Sequence, residues 1–170
     1  MNKKFLILIC VIIFSCVTNI FAFGIKGGFS LGNGLQLGAI FSETNNSGLV
    51  AGVAVPITFE SVTVFFEYYY DFLFIDKGSF NMGVEVGIGG RLGMAFSNSN
   101  NVSSAAMAYG FYPMAGLKVG LLQNNLDIYA VYDPVFGSAT AVASSGGSSA
   151  TAEASFFQPL SFSVGIRYHF

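Results

Sequence analysis

The last eleven residues, Leu160 to Phe170, spell LSFSVGIRYHF and alternate between apolar and polar side chains without a slip. Because successive side chains of a β-strand point to opposite faces, this alternation predicts a strand with one apolar and one polar face. Such a strand suits a wall that separates hydrocarbon outside from a polar lumen inside. The apolar face ends on an aromatic residue, Phe170.

Residues 1–22 have the three-part layout of a secretory signal peptide. Lys3-Lys4 precedes an apolar run over 5–17, and Ala22 offers a small residue at the cleavage point. We therefore expect the chain to be exported. The remainder, 23–170, has a length that fits one domain.

Both cysteines, Cys10 and Cys16, lie in this leader, so the mature domain would have neither a disulfide framework nor a thiolate metal site. Two alternatives to cleavage of a signal peptide remain open. Residues 5–22 are nearly long enough to be retained as a transmembrane anchor. Cys16 also ends a loose lipobox, Ile13-Phe14-Ser15-Cys16, which would direct lipoprotein processing.

The composition is that of a membrane protein built from strands. Mean hydropathy is +0.63, and only 9% of residues are charged. After the leader, no run of about 18 apolar residues could form a spanning helix. The 21 glycines and 16% aromatic residues are dispersed instead. Five lysines and arginines remain in 23–170 against nine acids, a surplus of acid that argues against nucleic acid as a partner.

The same alternation recurs along the mature chain with its apolar faces on one side. It predicts eight strands: 23–31, 35–41, 49–57, 62–74, 80–96, 107–121, 126–132 and 160–170. Single-chain bacterial barrels have even strand numbers from eight upward. The predicted fold is therefore all-β, an eight-stranded antiparallel up-and-down transmembrane β-barrel.

Three alternatives to this strand count and architecture remain open. Residues 23–42 could be one long strand, and Gly89-Gly90 could divide 80–96 into a hairpin. A soluble β-sandwich or lipocalin-type barrel also uses short alternating strands. Its outer face would carry charge, whereas the polar faces here are rich in Gly, Ser and Thr, which suits a narrow interior.

The predicted connections divide between the two ends of the barrel. If the C-terminus is periplasmic, the turns at 43–48, 75–79 and 123–125 are periplasmic as well. The connections near 33 and 59, and the longer ones at 97–104 and 137–155, then lie outside the cell. We expect 97–104 and 137–155 to be loops through which the protein contacts an extracellular or host ligand. Residues 139–154 of the second loop are small and nearly uncharged, which predicts a flexible, solvated segment.

Charged residues of the strands fall opposite the apolar faces, as a bilayer requires, since Lys or Arg facing the midplane costs about 2–4 kcal/mol. Four acids, four bases and the single histidine would share the interior. A balanced set in a narrow lumen predicts a paired network that fills it, although a lining that conducts or binds stays open. The predicted network comprises Lys26, Glu67, Asp71, Glu85, Arg91, Lys118, Asp127, Arg167 and His169.

Two further patterns concern the size of the lumen and its rim. Eight strands enclose a space that side chains just fill, and wide aqueous channels need about sixteen. The inward glycines either leave some room in the lumen or serve strand curvature and close packing. The aromatic run Tyr68-Tyr69-Tyr70, with Phe72, Phe74, Tyr168 and Phe170, predicts an interfacial girdle at the periplasmic rim.

The sequence offers little chemistry for catalysis. His169 is the only histidine, so a multi-histidine metal site is excluded, and no cofactor motif is present. A hydrolase would need a serine beside His169. Ser161 and Ser163 share its face but lie too far along the same strand, so the serine would have to come from a neighbouring strand. We expect no catalytic, cofactor-binding or metal site.

The segment Ser163 to Phe170 (SVGIRYHF) resembles the closing strand of the small OmpA/OmpX-like outer-membrane barrels. Val164, Ile166, Tyr168 and Phe170 resemble the C-terminal signal that the barrel-assembly machinery recognises. The stretches 82–93, 112–120 and 127–136 look similar to a spirochaetal subset of such proteins. The resemblance implies the bacterial outer membrane as location, with its lipid bilayer and the assembly machinery as partners. We expect a monomer.

These patterns lead to a first functional hypothesis, a non-enzymatic outer-membrane barrel with a structural or surface-interaction role carried by its exterior loops. The alternative is uptake or binding of a small hydrophobic nutrient, such as a fatty acid, across the outer membrane.

Overall fold

The computed structural model describes residues 24–31, 33–44, 46–58, 60–99, 102–123, 125–145 and 148–170. The predicted signal peptide, 1–22, and the lipobox at Cys16 lie outside these residues. The described residues form ten β-strands: β1 (Gly24–Ser30), β2 (Gly34–Thr44), β3 (Ser47–Val55), β4 (Ser61–Asp76), β5 (Phe80–Ser99), β6 (Val102–Leu121), β7 (Leu126–Tyr132), β8 (Val135–Ser145), β9 (Ser148–Gln158) and β10 (Phe162–His169).

Eight of these strands close into an antiparallel barrel, which confirms the predicted fold class. The wall runs from β1 through β2, β3, β4, β5, β6 and β7 to β10, which pairs back onto β1. Gly34, with φ of +80°, begins β2 after a tight turn from β1, so 23–42 is a hairpin rather than one strand. β5 continues through Gly89-Gly90 without a break. No helix among the described residues is long and apolar enough to cross a bilayer.

β7 and β8 are two parts of one long strand. Both pair with β6, and the register that joins Tyr132 to Ala115 continues unchanged to join Phe136 to Phe111. Only residues 133 and 134 fall between the two assigned strands. Pro134 stands there opposite Pro113, and neither proline has an N–H to donate to the ladder. The interruption is therefore local, and the strand keeps its direction.

The prediction of a loop over 137–155 is wrong. Residues 135–145 and 148–158 form the β8–β9 hairpin, whose partners run in uninterrupted register from Val135–Gln158 to Ser145–Ser148. The register of β8 with β9 differs by one residue from the register of β7 with β10. The extra residue lies within 159–161, between β9 and β10. Alternating Ala with Ser or Thr forms strands here although neither face is strongly apolar.

The other long connection, 97–104, is also mostly strand. β5 extends to Ser99 and β6 begins at Val102, and they pair up to that point. The upper parts of β5 and β6 and the β8–β9 hairpin thus form a four-stranded sheet that continues past the rim where β4 begins. We call this sheet the hairpin extension: residues 96–99, 102–111, 135–145 and 148–158. The opposite end of the barrel, which carries Gly24 and His169, is the terminal end.

The outer surface of the barrel is apolar. Large side chains such as Phe66, Ile88 and Leu117 are more than half exposed. At the terminal end, Tyr68, Tyr70, Phe72, Phe74, Tyr168 and Phe170 lie on this surface. Tyr69 does not belong to the predicted girdle, because alternation turns it inward and it is 2% exposed.

A second group of aromatic side chains marks the rim at the base of the hairpin extension. The rings of Phe111, Phe136 and Phe157 stack across three strands, with centroids 5.4 and 4.6 Å apart. From Leu121 at the terminal end to Phe111, β6 runs about 33 Å at 3.3 Å per residue. With the usual tilt of about 40°, that is an apolar band about 25 Å tall, the height a bilayer needs.

Tyrosine side chains occupy the space beside several inward glycines. A methyl group on Gly89 would lie 2.3 Å from the ring of Tyr112, one on Gly48 would lie 2.4 Å from the hydroxyl of Tyr69, and one on Gly165 would lie 2.5 Å from the hydroxyl of Tyr129. An apolar cluster completes one side of the lumen: Ile40, Val50, Ala54, Phe65, Tyr69, Tyr112, Met114 and Val135. At these positions the glycines make room for tyrosine rings.

Candidate functional site: the paired interior and the hairpin extension

The nine charged or titratable residues predicted for the interior lie on the inward faces of six strands: β1, β4, β5, β6, β7 and β10. Arg91 is partly exposed. The other eight are at most 7% exposed: Lys26, Glu67, Asp71, Glu85, Lys118, Asp127, Arg167 and His169. Three of their ion pairs join strands that are not neighbours in the wall and so cross the lumen: Arg167 with Glu85, Lys26 with Glu67, and Lys118 with Asp71.

Arg167 and Glu85 form the most completely buried contact. The guanidinium donates from Nη1 and Nη2 to the two carboxylate oxygens, both at 2.6 Å, and neither side chain has any exposed area. The rings of Tyr69 and Tyr129 lie 3.9 and 4.4 Å from the guanidinium carbon. A planar, paired guanidinium against aromatic faces is the geometry in which Arg tolerates burial.

Lys26 and Glu67 form a second pair between β1 and β4. The hydroxyl of Tyr112 donates to the other carboxylate oxygen of Glu67 at 3.1 Å. The ammonium of Lys26 also lies 5.0 Å from the ring centre of Tyr129 and 5.2 Å from that of Phe65. Tyr129 therefore contacts the cations of both pairs and links them.

A third group lies near the terminal end. Lys118 donates to Asp71 at 2.6 Å, and its Nζ lies 3.0 Å from Oδ2 of Asp127. Nε2 of His169 lies 3.0 Å from the same Asp127 oxygen. One lysine, one histidine and two carboxylates thus share a single polar cluster on four strands.

The structure adds polar residues that the sequence analysis did not assign. Asp133, at the break between β7 and β8, is 4% exposed and accepts a hydrogen bond from Ser163 at 2.7 Å. It is a fifth interior acid, and continuing the odd-numbered inward face of β7 would have found it. Arg91 donates to Gln158 at 2.9 Å. Gln158 could not be predicted to face the interior, because the one-residue register shift after β9 interrupts the alternation that would indicate its face.

The chemistry of this interior is that of a filled core. His169 faces Asp127, while Ser163, on the same strand as His169, donates to Asp133. Within the described part of the chain, no group of three or more His, Cys, Asp or Glu side chains is arranged to hold a metal ion. The paired ions, the tyrosine rings and the apolar cluster together occupy the lumen.

The hairpin extension has a different character. Along β8 and β9, one face carries alanines at 139, 141, 143, 150, 152 and 154, and the other carries Ser, Thr and Val with Glu153. A groove of about 380 Å³ lies where the extension meets the start of β4, lined by Glu60, Ala95, Ala106 and neighbouring residues. The exposed charges at this end of the described chain, Glu60 and Glu153, are both acidic.

The closing strand presents its apolar residues to the outside. Val164, Ile166, Tyr168 and Phe170 are 40–77% exposed. The ring centroids of Tyr168 and Phe170 lie 5.7 Å apart in an edge-on contact. These four side chains form a continuous apolar stripe that ends at the last residue of the chain.

The fold resembles that of known outer-membrane proteins. A major outer-membrane protein of Thermus thermophilus is 13% identical, with a TM-score of 0.50 over 86% of this chain and 97% of that one. CarO of Acinetobacter baumannii is 9% identical, with a TM-score of 0.36 over 89% and 99%. No protein-family model matches the sequence, and no curated protein matches it either.

The chain therefore has the fold of an outer-membrane β-barrel. At 13% identity, the likeness to the Thermus protein defines the architecture and leaves the activity to be argued from the residues.

Proposed function

We propose that this protein is a non-enzymatic barrel of the bacterial outer membrane, with a closed lumen and the hairpin extension displayed outside the cell for contact with another molecule. The observation that carries the proposal is the contrast between the two parts of the chain. The lumen is crossed by buried ion pairs, whereas β9 is exposed on both faces from residue 148 to 155.

The closed lumen argues against transport of ions or solutes. The Arg167–Glu85 pair has no exposed area, and Lys26 with Glu67 is buried beside it. Removing one member of such a pair costs about 3–5 kcal/mol, so the pairs are not expected to part for a passing solute. The alternative of fatty-acid uptake would need an apolar path through this region, and charged pairs occupy it.

The location in the outer membrane is supported by the apolar band between the two aromatic rims. The stripe Val164, Ile166, Tyr168 and Phe170 is available to the barrel-assembly machinery. We include the chain among the small OmpA/OmpX-like barrels on its strand number and this closing strand. One chain closes the barrel by itself, which fits a monomer.

Cysteine labelling on intact cells tests the orientation. Glu153→Cys in the hairpin extension should react with a membrane-impermeant maleimide, whereas Lys77→Cys in the turn at the terminal end should react only after lysis. The unsubstituted chain measures any background from Cys10 and Cys16. Equal labelling of both positions on intact cells, or labelling of Lys77→Cys alone, contradicts the proposal.

Conductance in planar bilayers tests the closed lumen. We expect no steady single-channel current from the purified protein. The double variant Glu85→Ala with Arg167→Ala, which removes the central pair, is the matched control. A current from this variant would show that the assay detects an opened lumen. A stable open channel in the unsubstituted protein would refute this part of the proposal.

A further inference from the structure

A group of buried polar side chains lies at the end of the lumen nearest the hairpin extension, apart from the ion pairs. The Asp133 group, as we call it, comprises Asp133, Ser161, Ser163, Ser30 and Gln36, all at most 5% exposed. Ser163 lies opposite Ser30, and the backbone N–H of Asp133 donates to the carbonyl of Ser161 at 3.0 Å. Gln36 on β2 is diagonal to Ser30, so its long side chain can reach the group.

Asp133 differs from the other interior acids in its contacts. Each of the other four contacts a lysine, an arginine or a histidine. Within the described part of the chain, Asp133 forms no ion pair: its Oδ2 accepts a hydrogen bond from Ser163 at 2.7 Å, and its Oδ1 accepts none. Arg91 donates to Gln158 instead. Because a buried charge is costly unless it is paired, this carboxylate needs a positive charge that no side chain of the described residues supplies.

Two further oxygens of the Asp133 group are buried without a hydrogen-bond partner among the described residues. They are Oγ of Ser161, which lies beside the Asp133 carboxyl, and Oε1 of Gln36. The hydroxyl of Ser163 also keeps lone pairs after it donates its proton. A proton on Asp133 would satisfy only one of these oxygens, and a water molecule would leave the charge unbalanced. A cation bound by several oxygens would do both.

We propose that the Asp133 group binds an alkali-metal cation such as Na⁺, held by Oδ1 of Asp133 together with hydroxyl and amide oxygens of its neighbours. Hard cations take oxygen ligands of these kinds. One carboxylate balances a single positive charge, whereas a divalent ion would leave a buried charge unbalanced. The inference goes beyond the proposed function, because a surface role of the hairpin extension does not require a bound ion.

The position of the group along the barrel makes it a binding site and not part of a path. It lies near the rim at the base of the hairpin extension, where the rings of Tyr132 and Phe162 face outward 5.1 Å apart. Arg167 lies four residues nearer the terminal end than Ser163, about 13 Å along β10 at 3.3 Å per residue. Its buried pair with Glu85 closes the lumen there. The cation would therefore enter and leave by the same end and stabilise the fold.

Urea unfolding of the purified protein in zwitterionic micelles tests the site. NaCl is compared with N-methyl-D-glucamine chloride at equal ionic strength, because the organic cation is too large to enter the group. A ligand that binds only the folded state lowers the unfolding equilibrium constant by a factor that depends on its concentration and its Kd. We expect about a sixfold decrease at about 0.5 M NaCl, which corresponds to a Kd of about 0.1 M.

Nuclear magnetic resonance of the same micelles locates the bound ion. The backbone amides of Asp133 and Ser163 and the side-chain amide of Gln36 should shift progressively as NaCl replaces N-methyl-D-glucamine chloride. Amides on the exposed strand β9, such as that of Ala152, should keep their positions. Shifts confined to the Asp133 group would distinguish binding at this site from a general effect of salt on the barrel.

Three variants assign the effect to residues. Asp133→Asn keeps the shape of the side chain without its charge and should abolish the dependence on NaCl. Ser161→Ala removes a hydroxyl that makes no hydrogen bond in the structure, so it should fold, and it should weaken the NaCl effect at least about twofold. Glu153→Gln is the matched control, because it removes an exposed carboxylate and should keep the full effect. If Asp133→Asn does not fold, Ser161→Ala decides the outcome.

Three results would overturn this inference. Equal unfolding in the two chlorides would mean that Asp133 carries a proton in place of a metal ion. A NaCl effect that persists in full in Asp133→Asn or in Ser161→Ala would place the ion elsewhere. Greater stabilisation by CaCl₂ than by NaCl at equal ionic strength would identify a divalent site. All three measurements use purified protein, so they are independent of the cell-surface labelling that tests the proposed function.

Discussion

Lys26 on β1 and Arg167 on β10 lie directly opposite each other in the barrel wall, and both side chains point inward. Across the lumen, Asp71 on β4 and Glu85 on β5 are likewise partners. Like charges opposite each other destabilise a pair of strands. Contacts that cross the lumen, such as Arg167 with Glu85, compensate for this. The interior charges are therefore matched partly across the lumen and partly between adjacent strands, where Asp127 lies opposite Arg167 and contacts Lys118.

Glu85→Gln should lower the free energy of unfolding by about 3–5 kcal/mol, because it leaves the guanidinium of Arg167 buried without a carboxylate. Urea unfolding in detergent micelles measures the loss. The double variant Glu85→Leu with Arg167→Met should recover most of it, since apolar side chains of similar volume often replace a buried pair at little cost. A double variant less stable than Glu85→Gln contradicts this account.

Tyr112→Phe should cost about 1.5–3 kcal/mol, because it removes a hydroxyl that donates to the buried carboxylate of Glu67. Tyr109→Phe is the matched control on the same strand. Tyr109 is 61% exposed on the outer face, and its substitution should change stability by less than about 0.5 kcal/mol. The same unfolding assay compares the two, and equal effects would show that the hydrogen bond to Glu67 contributes nothing.

Gly89→Ala and its neighbour Gly90→Ala should differ sharply. The new methyl group at 89 would lie 2.3 Å from the ring of Tyr112, whereas at 90 the nearest atom is 3.8 Å away. Overpacking of this kind costs about 1–3 kcal/mol, and Gly90→Ala should be tolerated. Urea midpoints measure the stability of each variant, and near-ultraviolet circular dichroism reports whether the tyrosine rings have been displaced. Tolerance of both substitutions would mean that the lumen has spare room.

Replacing residues 139–154 with Asn-Gly should leave the barrel folded. Ser138 and Ser155 are cross-strand partners, and a two-residue Asn-Gly loop joins antiparallel strands in register. We expect heat-modifiable gel mobility to persist, because the strand pairings of the eight-stranded wall all remain. Loss of folding would show that the hairpin extension is part of the barrel's stability.

The barrel wall could be predicted from the sequence because alternation is a property of each strand alone. Phe80 to Phe96 shows which face meets lipid, and a charged residue such as Glu85 falls on the opposite face. The partner of Glu85 could not be predicted in this way. Its contact with Arg167 depends on how the strands are staggered around the closed barrel, which no single strand encodes.

The hairpin extension was missed for a different reason. Alternating Ala and Ser in 137–155 has little contrast between faces, so the pattern resembled a polar loop. Asp133-Pro134 looked like the end of a strand, although proline only removes one donor from the ladder. Because of the register shift at 159–161, Gln158 lies on the opposite face from the one that the alternation of the closing strand predicts for it.

The common register of β7 and β8 along β6 also has a mechanical consequence. Because the strand that forms the wall below Tyr132 is the one that carries the extension above Val135, no flexible hinge separates them. Ladder hydrogen bonds run perpendicular to the strands. A force that pulls the extension outward would therefore act on many ladder hydrogen bonds at the same time, in shear. The wall in the bilayer would hold the extension as the anchor of a stiff tether.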